Sequence, residues 1–302
     1  MINMEQKYQH LLQYLKKLKK VVIGFSGGVD STFLLMTAHN ALGDNVLAIT
    51  VDSPYIPRRE LIEAKDLARK FNIRHQLIKL PLSESIIENP EDRCYYCKSS
   101  FFSGITKKAH QKGFKHILEG TNRDDQADYR PGSRALRESG ILSPLKICRL
   151  SKKDIRSLSK QLKLPTWDKP ADSCLLTRIP YNTRITLNEL KRIERSEYYL
   201  AGIGFSGARV RSHGDLARIE ASRDQRSMIF DDTVMDSVSK HLKDYGYTYV
   251  CFDLEGYRMG SLDKTQSLYK TRAEFSQLSF PLVGNPSSET RKRFRTSRND
   301  KK

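Results

Sequence analysis

Up to residue 120 the chain alternates short, wholly apolar runs with stretches whose apolar residues recur at helical spacing. Residues 21–25, VVIGF, have the length and continuous apolarity of a strand buried on both faces. SGGVDST follows, and FLLMTAHNAL then takes up helical spacing. A second strand is predicted over 46–51, ending at Asp52-Ser53-Pro54, then a helix over 60–71 and a third strand over 73–80. Residues 97–112 predict another helix, and His116-Ile117-Leu118 a short strand that ends in EGTN. Strands and helices in alternation predict an α/β fold, a doubly wound parallel sheet. The N-terminal MINMEQKYQHLLQYLKKLKK predicts a basic amphipathic helix ahead of it.

Past residue 150 the pattern changes. A helix over 151–162 is capped by Ser151, with Asp154 at its third position, and Pro165-Thr166-Trp167 ends it. Residues 168–182 have no periodicity and read as a functional loop. Thr186 with Glu189 forms a capping-box pattern opening a further helix. ARVRSH and DLARIEAS alternate as a hairpin around His213-Gly214-Asp215, and a helix to about Lys243 and the strand YTYVCFDL complete an αββαβ order. The expected organisation is a first domain over 1–165, a smaller C-terminal α+β domain over 166–275, and a basic tail over 276–302.

Composition sets limits on this picture. The chain has 302 residues, 38% hydrophobic and 29% charged, and no apolar run approaches the roughly 18 residues that span a bilayer. The N-terminus lacks a signal-peptide apolar core, and five cysteines fit a reducing compartment, so a cytoplasmic protein without a membrane partner is expected. The net charge of +18 calls for anionic partners, either nucleotides or nucleic acid. Part of it sits in ETRKRFRTSRNDKK, seven Lys/Arg against two acids, which reads as a solvated tail.

Ser26-Gly27-Gly28-Val29-Asp30-Ser31-Thr32 lies between a buried strand and a helix N-terminus, where backbone N–H groups and the helix dipole hold anions. Its glycines let phosphate oxygens approach the backbone, and its hydroxyls add donors. Asp30 is poor company for phosphate alone, which points to an intervening Mg²⁺. The GxxxxGK[ST] sequence of phosphoryl-transfer loops is absent. SGGVDS resembles the PP-loop of the ATP-pyrophosphatase superfamily, whose members cleave ATP between the α- and β-phosphates. That resemblance implies an ATP site formed by Ser26 to Thr32, with Asp52 at the end of the second strand and Thr121 and Asn122 in EGTN.

Within the superfamily, EGTNRDDQADYRPG (119–132), KPADSCLLTRIPY (169–181), RVRSHGDLARIE (209–220) and YVCFDLEGYRMGSL (249–262) occur in that order. Together they resemble the pyridinium-3,5-biscarboxylic acid mononucleotide sulfurtransferases, the sacrificial sulfur transferases that make the nickel-pincer nucleotide of lactate racemase. The likeness runs from about residue 5 to about 275. Leu176, Thr177 and Asn182 depart from the family pattern ACLASRIPYG and alter the loop lining. The family implies adenylylation of a substrate carboxylate, attack by Cys174, and elimination that leaves dehydroalanine at position 174. Read physically, Arg178 close after Cys174 favours the thiolate. Arg209, Arg211 and His213 at i, i+2 and i+4 of one strand share a face. The family makes Arg178, Arg209 and Arg211 substrate contacts and Glu220 a polar or metal-binding neighbour. Asn122, Asp125 and Asp128 serve nucleotide, substrate or Mg²⁺, or stabilise the loop as Asx turns.

Cys94-Tyr95-Tyr96-Cys97 leaves alternatives open. With Cys174 these thiols could hold a [4Fe–4S] cluster with one open iron, as in related sulfur-transfer enzymes, or they are structural. Cys148 and Cys251 read as buried. The expected partner is a small nucleotide, and a homo-oligomer is expected. The alternative enzyme is a tRNA-thiolating PP-loop protein, which the basic charge keeps in play.

Overall fold

In the computed structural model, which describes residues 3–126, 131–170 and 172–258, the apolar runs form one parallel sheet. Its strands are β1 (Val21–Gly24), β2 (Val46–Asp52), β3 (His75–Lys79) and β4 (His116–Leu118), in the order β3-β2-β1-β4. Val21 pairs with Val46 on one side and His116 on the other. Helices α1 (Met4–Leu18), α2 (Val29–Leu42) and α3 (Arg58–Lys70) connect or cover these strands. A single turn α4 (Glu84–Ile87) and the long α5 (Arg93–Gln111) follow β3, and α6 (Pro131–Glu138), the turn α7 (Pro144–Ile147) and α8 (Lys152–Gln161) follow β4.

Alternation along β1 explains why both faces are covered. Val21 and Ile23 enter a core with Leu11, Phe33 and Leu158, from α1, α2 and α8, while Val22 enters another with Phe102, Ile105 and Leu136, from α5 and α6. The chain steps outward from β1 to β3 and then crosses to β4 on the opposite side of β1. In such sheets ligands bind beyond the carboxyl ends of the strands at this reversal of order. The loops that leave β1 and β4 there are SGGVDS and EGTN.

The second sheet is the expected α+β arrangement. After α9 (Leu187–Gly202), β5 (Arg209–His213) and β6 (Leu216–Glu220) pair antiparallel, α10 (Asp232–Asp244) crosses, and β7 (Tyr249–Phe252) joins β6 in parallel. Its own core gathers Leu200, Phe205, Val210, Ile219, Val238 and Leu242. Both sheets belong to the unit that ends at Tyr257. A smaller cluster of Tyr55, Ile86, Leu175, Ile179, Ile185 and Ile193 anchors the loop that carries Cys174.

Several local expectations need adjusting. The helix expected over 97–112 begins at Arg93, because the Arg93 N–H bonds to the Pro90 carbonyl and Tyr95 N–H to Asp92, closing a turn before the apolar spacing starts. Thr186 caps α9 by accepting from Glu189 N–H at 3.1 Å, but the Glu189 carboxylate turns to Arg192 at 2.6 Å instead of closing the box. Ser151 and Asp154 do form a reciprocal capping box. Cys148 is buried as expected, whereas Cys251 is exposed because β7 alternates at the sheet edge. Asp128 and the tail over 276–302 lie outside the described residues. Among the described residues no helix is long and apolar enough to cross a membrane.

Candidate active site

A cavity of about 500 Å³ opens where the two loops meet. Ser26, Gly28, Val29, Asp30 and Ser31 line it from β1 and α2, Glu119, Gly120 and Thr121 from beyond β4, and Cys174 from the aperiodic loop. Gly27 takes φ +72, a left-handed conformation open to glycine, which turns the chain from strand to helix. Gly120 is needed for a different reason. A Cβ there would stand 3.1 Å from the Ser31 nitrogen, so glycine lets EGTN lie against the first turn of α2. Gly28 caps α2 without a side-chain bond, leaving its first N–H groups for a ligand.

Asp30 is held by Lys152 at 2.5 Å, while its Oδ1 is buried without a hydrogen bond. Burial raises its pKa, and Lys152 offsets part of that rise. Lys169 reaches the Gly27 carbonyl at 3.3 Å and Glu63 at 2.6 Å. With Lys98 and Arg93 these lysines supply the cavity's positive charge. Beside it, a recess of about 140 Å³ shares Gly24, Ser26 and Phe101, and is walled by Ile49, Thr50, Val51 and Leu61. Its apolar walls and size suit a purine ring.

Other expected ATP contacts fall elsewhere. Thr32 is fully buried and Asp52 pairs with Arg58 at 2.5 Å; neither lines the cavity. Asn122 makes an Asx turn, accepting from Asp124 N–H at 2.8 Å, while its own N–H bonds to Asp125 at 3.0 Å.

Cys174 is half-buried just before a 3-10 turn (Leu175–Arg178) that Leu175 N–H pins to the Tyr55 carbonyl at 2.9 Å. Cys94 and Cys97, in the first turns of α5, line the same cavity. Burial raises the Cys174 thiol pKa and Cys94 adds to it; Arg93 and then Arg178 pull the other way. The net shift is upward, so Arg178 does not make Cys174 a thiolate in this state. Cys97, which donates to Tyr55 Oη at 3.4 Å, is pushed up by burial to about 12.

The arginines expected to touch substrate form the scaffold of this loop instead. Arg178 is fully buried; it pairs with Glu197 at 2.8 and 3.0 Å and donates to the Ser173 and Cys174 carbonyls at 2.9 and 3.1 Å. Arg211 pairs with Glu220 at 2.7 Å and holds the Thr177 carbonyl at 2.6 Å. Glu220, fully buried, also binds Arg218 at 3.0 Å. Arg178, Arg211 and Glu220 therefore have their charges neutralised internally and do not line the cavity. Arg209 differs: it pairs with Asp172 at 2.7 Å but lines two further hollows, of about 560 and 610 Å³, that Asp172 also borders. His213, on the same strand, is exposed.

The sequence reading missed Glu60 and Asp172. Burial lifts Glu60 to about 7, and the neighbouring Asp172 carboxylate adds to that. Asp172 moves the other way: against the effect of burial, Arg209 and Arg178 hold it below the usual carboxylate range.

The comparisons agree with this geometry. The NAD synthase family model matches residues 3–101, the part that contains SGGVDS. A protein of Synechocystis with no assigned function is 39% identical over 86% of this chain and 98% of its own. The pyridinium-3,5-bisthiocarboxylic acid mononucleotide synthase of Lactiplantibacillus plantarum is 34% identical over 88% of this chain and 96% of its own. The chain belongs to the family of that synthase. It is an ATP-using, ATP-pyrophosphatase-type enzyme with the PP-loop α/β fold. The family extends to archaea: a Methanocaldococcus jannaschii protein without assigned function is 36% identical over 83% of this chain and 96% of its own.

Proposed function

We propose that this protein adenylylates a carboxylate of a pyridinium dicarboxylate mononucleotide and converts it to a thiocarboxylate with the sulfur of Cys174. The observation that carries this reading is Cys174 on the wall of the cavity that the SGGVDS loop lines. Residues 1–165 bind ATP, and 166–275 carry the sulfur donor and the substrate contacts. The phosphates lie against Ser26 to Ser31, and the purine enters the recess walled by Thr50, Val51 and Phe101. The unpartnered Asp30 oxygen suits a divalent cation, and Mg²⁺ there would neutralise phosphate charge. Lys152 and Lys169 face the same phosphates.

The carboxylate attacks the α-phosphorus, and pyrophosphate leaves. The Cys174 thiol loses its proton to water; its sulfur adds to the acyl carbon, and AMP departs as the C–O bond breaks. Loss of the Cys174 Cα proton to a base then forms Cα=Cβ and breaks Cβ–S, releasing the thiocarboxylate and leaving dehydroalanine. Arg209, beside two open hollows, is the substrate-phosphate contact. Arg178 and Arg211 set the backbone on either side of the thiol.

A second reading of the sulfur source has its own support. Cys94, Cys97 and Cys174 face one cavity. Among the described residues no three His, Cys, Asp or Glu side chains cluster tightly enough for a single metal ion. A cluster differs from a single ion in that each iron takes its own thiolate, so its ligands stand around it and not at one point. A [4Fe–4S] cluster held there would supply external sulfide and spare Cys174.

Intact mass after one turnover with ATP and the dicarboxylate nucleotide tests both readings. A chain lighter by one hydrogen sulfide, with dehydroalanine at position 174, supports sacrifice. Unchanged mass with repeated turnover on added sulfide, in brown protein carrying about four irons, supports the cluster. Release of ADP and phosphate, or full activity of Cys174→Ala, overturns the assignment.

A further inference from the structure

Arg93 is the one guanidinium around Cys174 to which the structure assigns no carboxylate partner among the described residues. Arg178, Arg209 and Arg211 are each buried against Glu197, Asp172 and Glu220. Arg93 is only 3% exposed, yet its Nε and Nη1 donors are buried without any acceptor. One face of its guanidinium lies over the Tyr181 ring, 4.1 Å from the centroid, which orients the plane without satisfying the N–H groups. Arg93 lines the PP-loop cavity next to Cys94 and Cys174.

A buried cation without a counter-charge is costly, and sites that keep one use it when a ligand arrives. An arginine fork presents two parallel donors that match a carboxyl group. Open cavity space, the ATP loop and the sulfur donor all adjoin it.

We propose that Arg93 grips the aromatic carboxyl group that is activated and presents its carbon to Cys174, an assignment that rests on the reaction proposed above. When the sulfur adds to the acyl-adenylate, the C–S bond forms and the carbonyl electron pair moves onto oxygen, where Nε–H and Nη1–H stabilise it. The pair returns as the C–O bond to AMP breaks. The two donors therefore gain strength as charge develops, the condition for lowering the barrier.

The test has a binding arm and a turnover arm, on wild type, Arg93→Met and Arg93→Lys. Pyridine-3,5-dicarboxylate, without ATP, should raise the melting temperature of the wild type and leave that of Arg93→Met unmoved. Arg93→Met alone should melt no lower than the wild type, because it removes an unpaired buried charge. In turnover, kcat/KM for thiocarboxylate formation should fall about 10²–10³-fold while ATP affinity stays within about twofold. Arg93→Lys, which keeps the charge but not the fork, should be intermediate. A wild type that ignores the dicarboxylate, an Arg93→Met that binds it equally, or a folded Arg93→Lys with wild-type kcat/KM each overturns the proposal. If Arg93→Met does not fold, Arg93→Lys decides. Dicarboxylate binding lost with Arg93 in a protein that transfers no sulfur would keep this site and discard the reaction.

Discussion

Glu197→Ala should cost this protein about 4 kcal/mol. Arg178 is enclosed completely, and Glu197 supplies its closest carboxylate oxygens, at 2.8 and 3.0 Å. Removing one partner of a buried ion pair costs roughly 3–5 kcal/mol, because the other charge stays buried. Asp172, 3.5 Å from Arg178, remains as a weaker partner, which places the loss at about 3 kcal/mol, the low end of that range. Glu197 also accepts the Val210 N–H at 3.0 Å, worth about 1 kcal/mol. For a chain of 302 residues the sum lowers the melting temperature by about 6 °C. The double variant Arg178→Met, Glu197→Leu replaces both charges with apolar groups and should recover most of that loss. It should stay about 1–2 kcal/mol below wild type, since the Ser173 and Cys174 carbonyls lose their donor. Urea midpoints at a fixed pH, or calorimetry, measure wild type, Glu197→Ala and the double variant. A Glu197→Ala loss under about 1 kcal/mol, or a double variant no better than Glu197→Ala, refutes the claim that this pair is the keystone of the Cys174 loop.

Three further outcomes follow from the cavity. Asp30→Ala should abolish carboxylate-dependent release of pyrophosphate by removing the carboxylate with the unpartnered oxygen; release at the wild-type rate would contradict that role. Gly120→Ala should weaken ATP binding roughly tenfold, short of the ~10²-fold that a full ångström of misplacement costs, with the melting temperature little changed. The Glu60 carboxyl takes up its proton more readily folded than unfolded, with its pKa raised from 4.5 to about 7. Its contribution to stability is then complete below pH 4.5 and is lost as pH rises to about 7. Urea midpoints measured from pH 5 to 8 should therefore show Glu60→Gln gaining on wild type as pH rises, and parallel curves would exclude the shift.

Much of the nucleotide half was legible because its signals are local. A continuous apolar run, two glycines and a helix start within a dozen residues force a strand–loop–helix unit, whatever surrounds it. The caps at Ser151 and Thr186 could be read from three or four residues, since their bonds span no more than that. Cys174 stood out by its place in a motif, and it lines the cavity at the SGGVDS loop.

What the chain could not disclose residue by residue is which charge meets which. The spacing of Arg209 and Arg211 on one strand is local, but the carboxylates they meet differ in kind. Glu220 stands opposite Arg209 in the register and pairs with Arg211, whereas Asp172 comes from a loop 37 residues away. Arg178 looks like a cation for the thiol in sequence, yet Glu197, a turn of another helix, claims it. Arg93 lies ahead of the helix expected over 97–112, and it is buried because α5 begins there and Tyr181 packs over its guanidinium. Desolvation, which raises the Cys174 and Glu60 pKa values, depends on how much protein surrounds each group. Sequence by itself determined the elements, the phosphate loop and the sulfur-bearing loop, because those rest on backbone chemistry between near neighbours. Only the tertiary structure decided which buried charges are spent on one another and which one still faces an open site, because Coulomb energy and burial depend on distance in space and not along the chain.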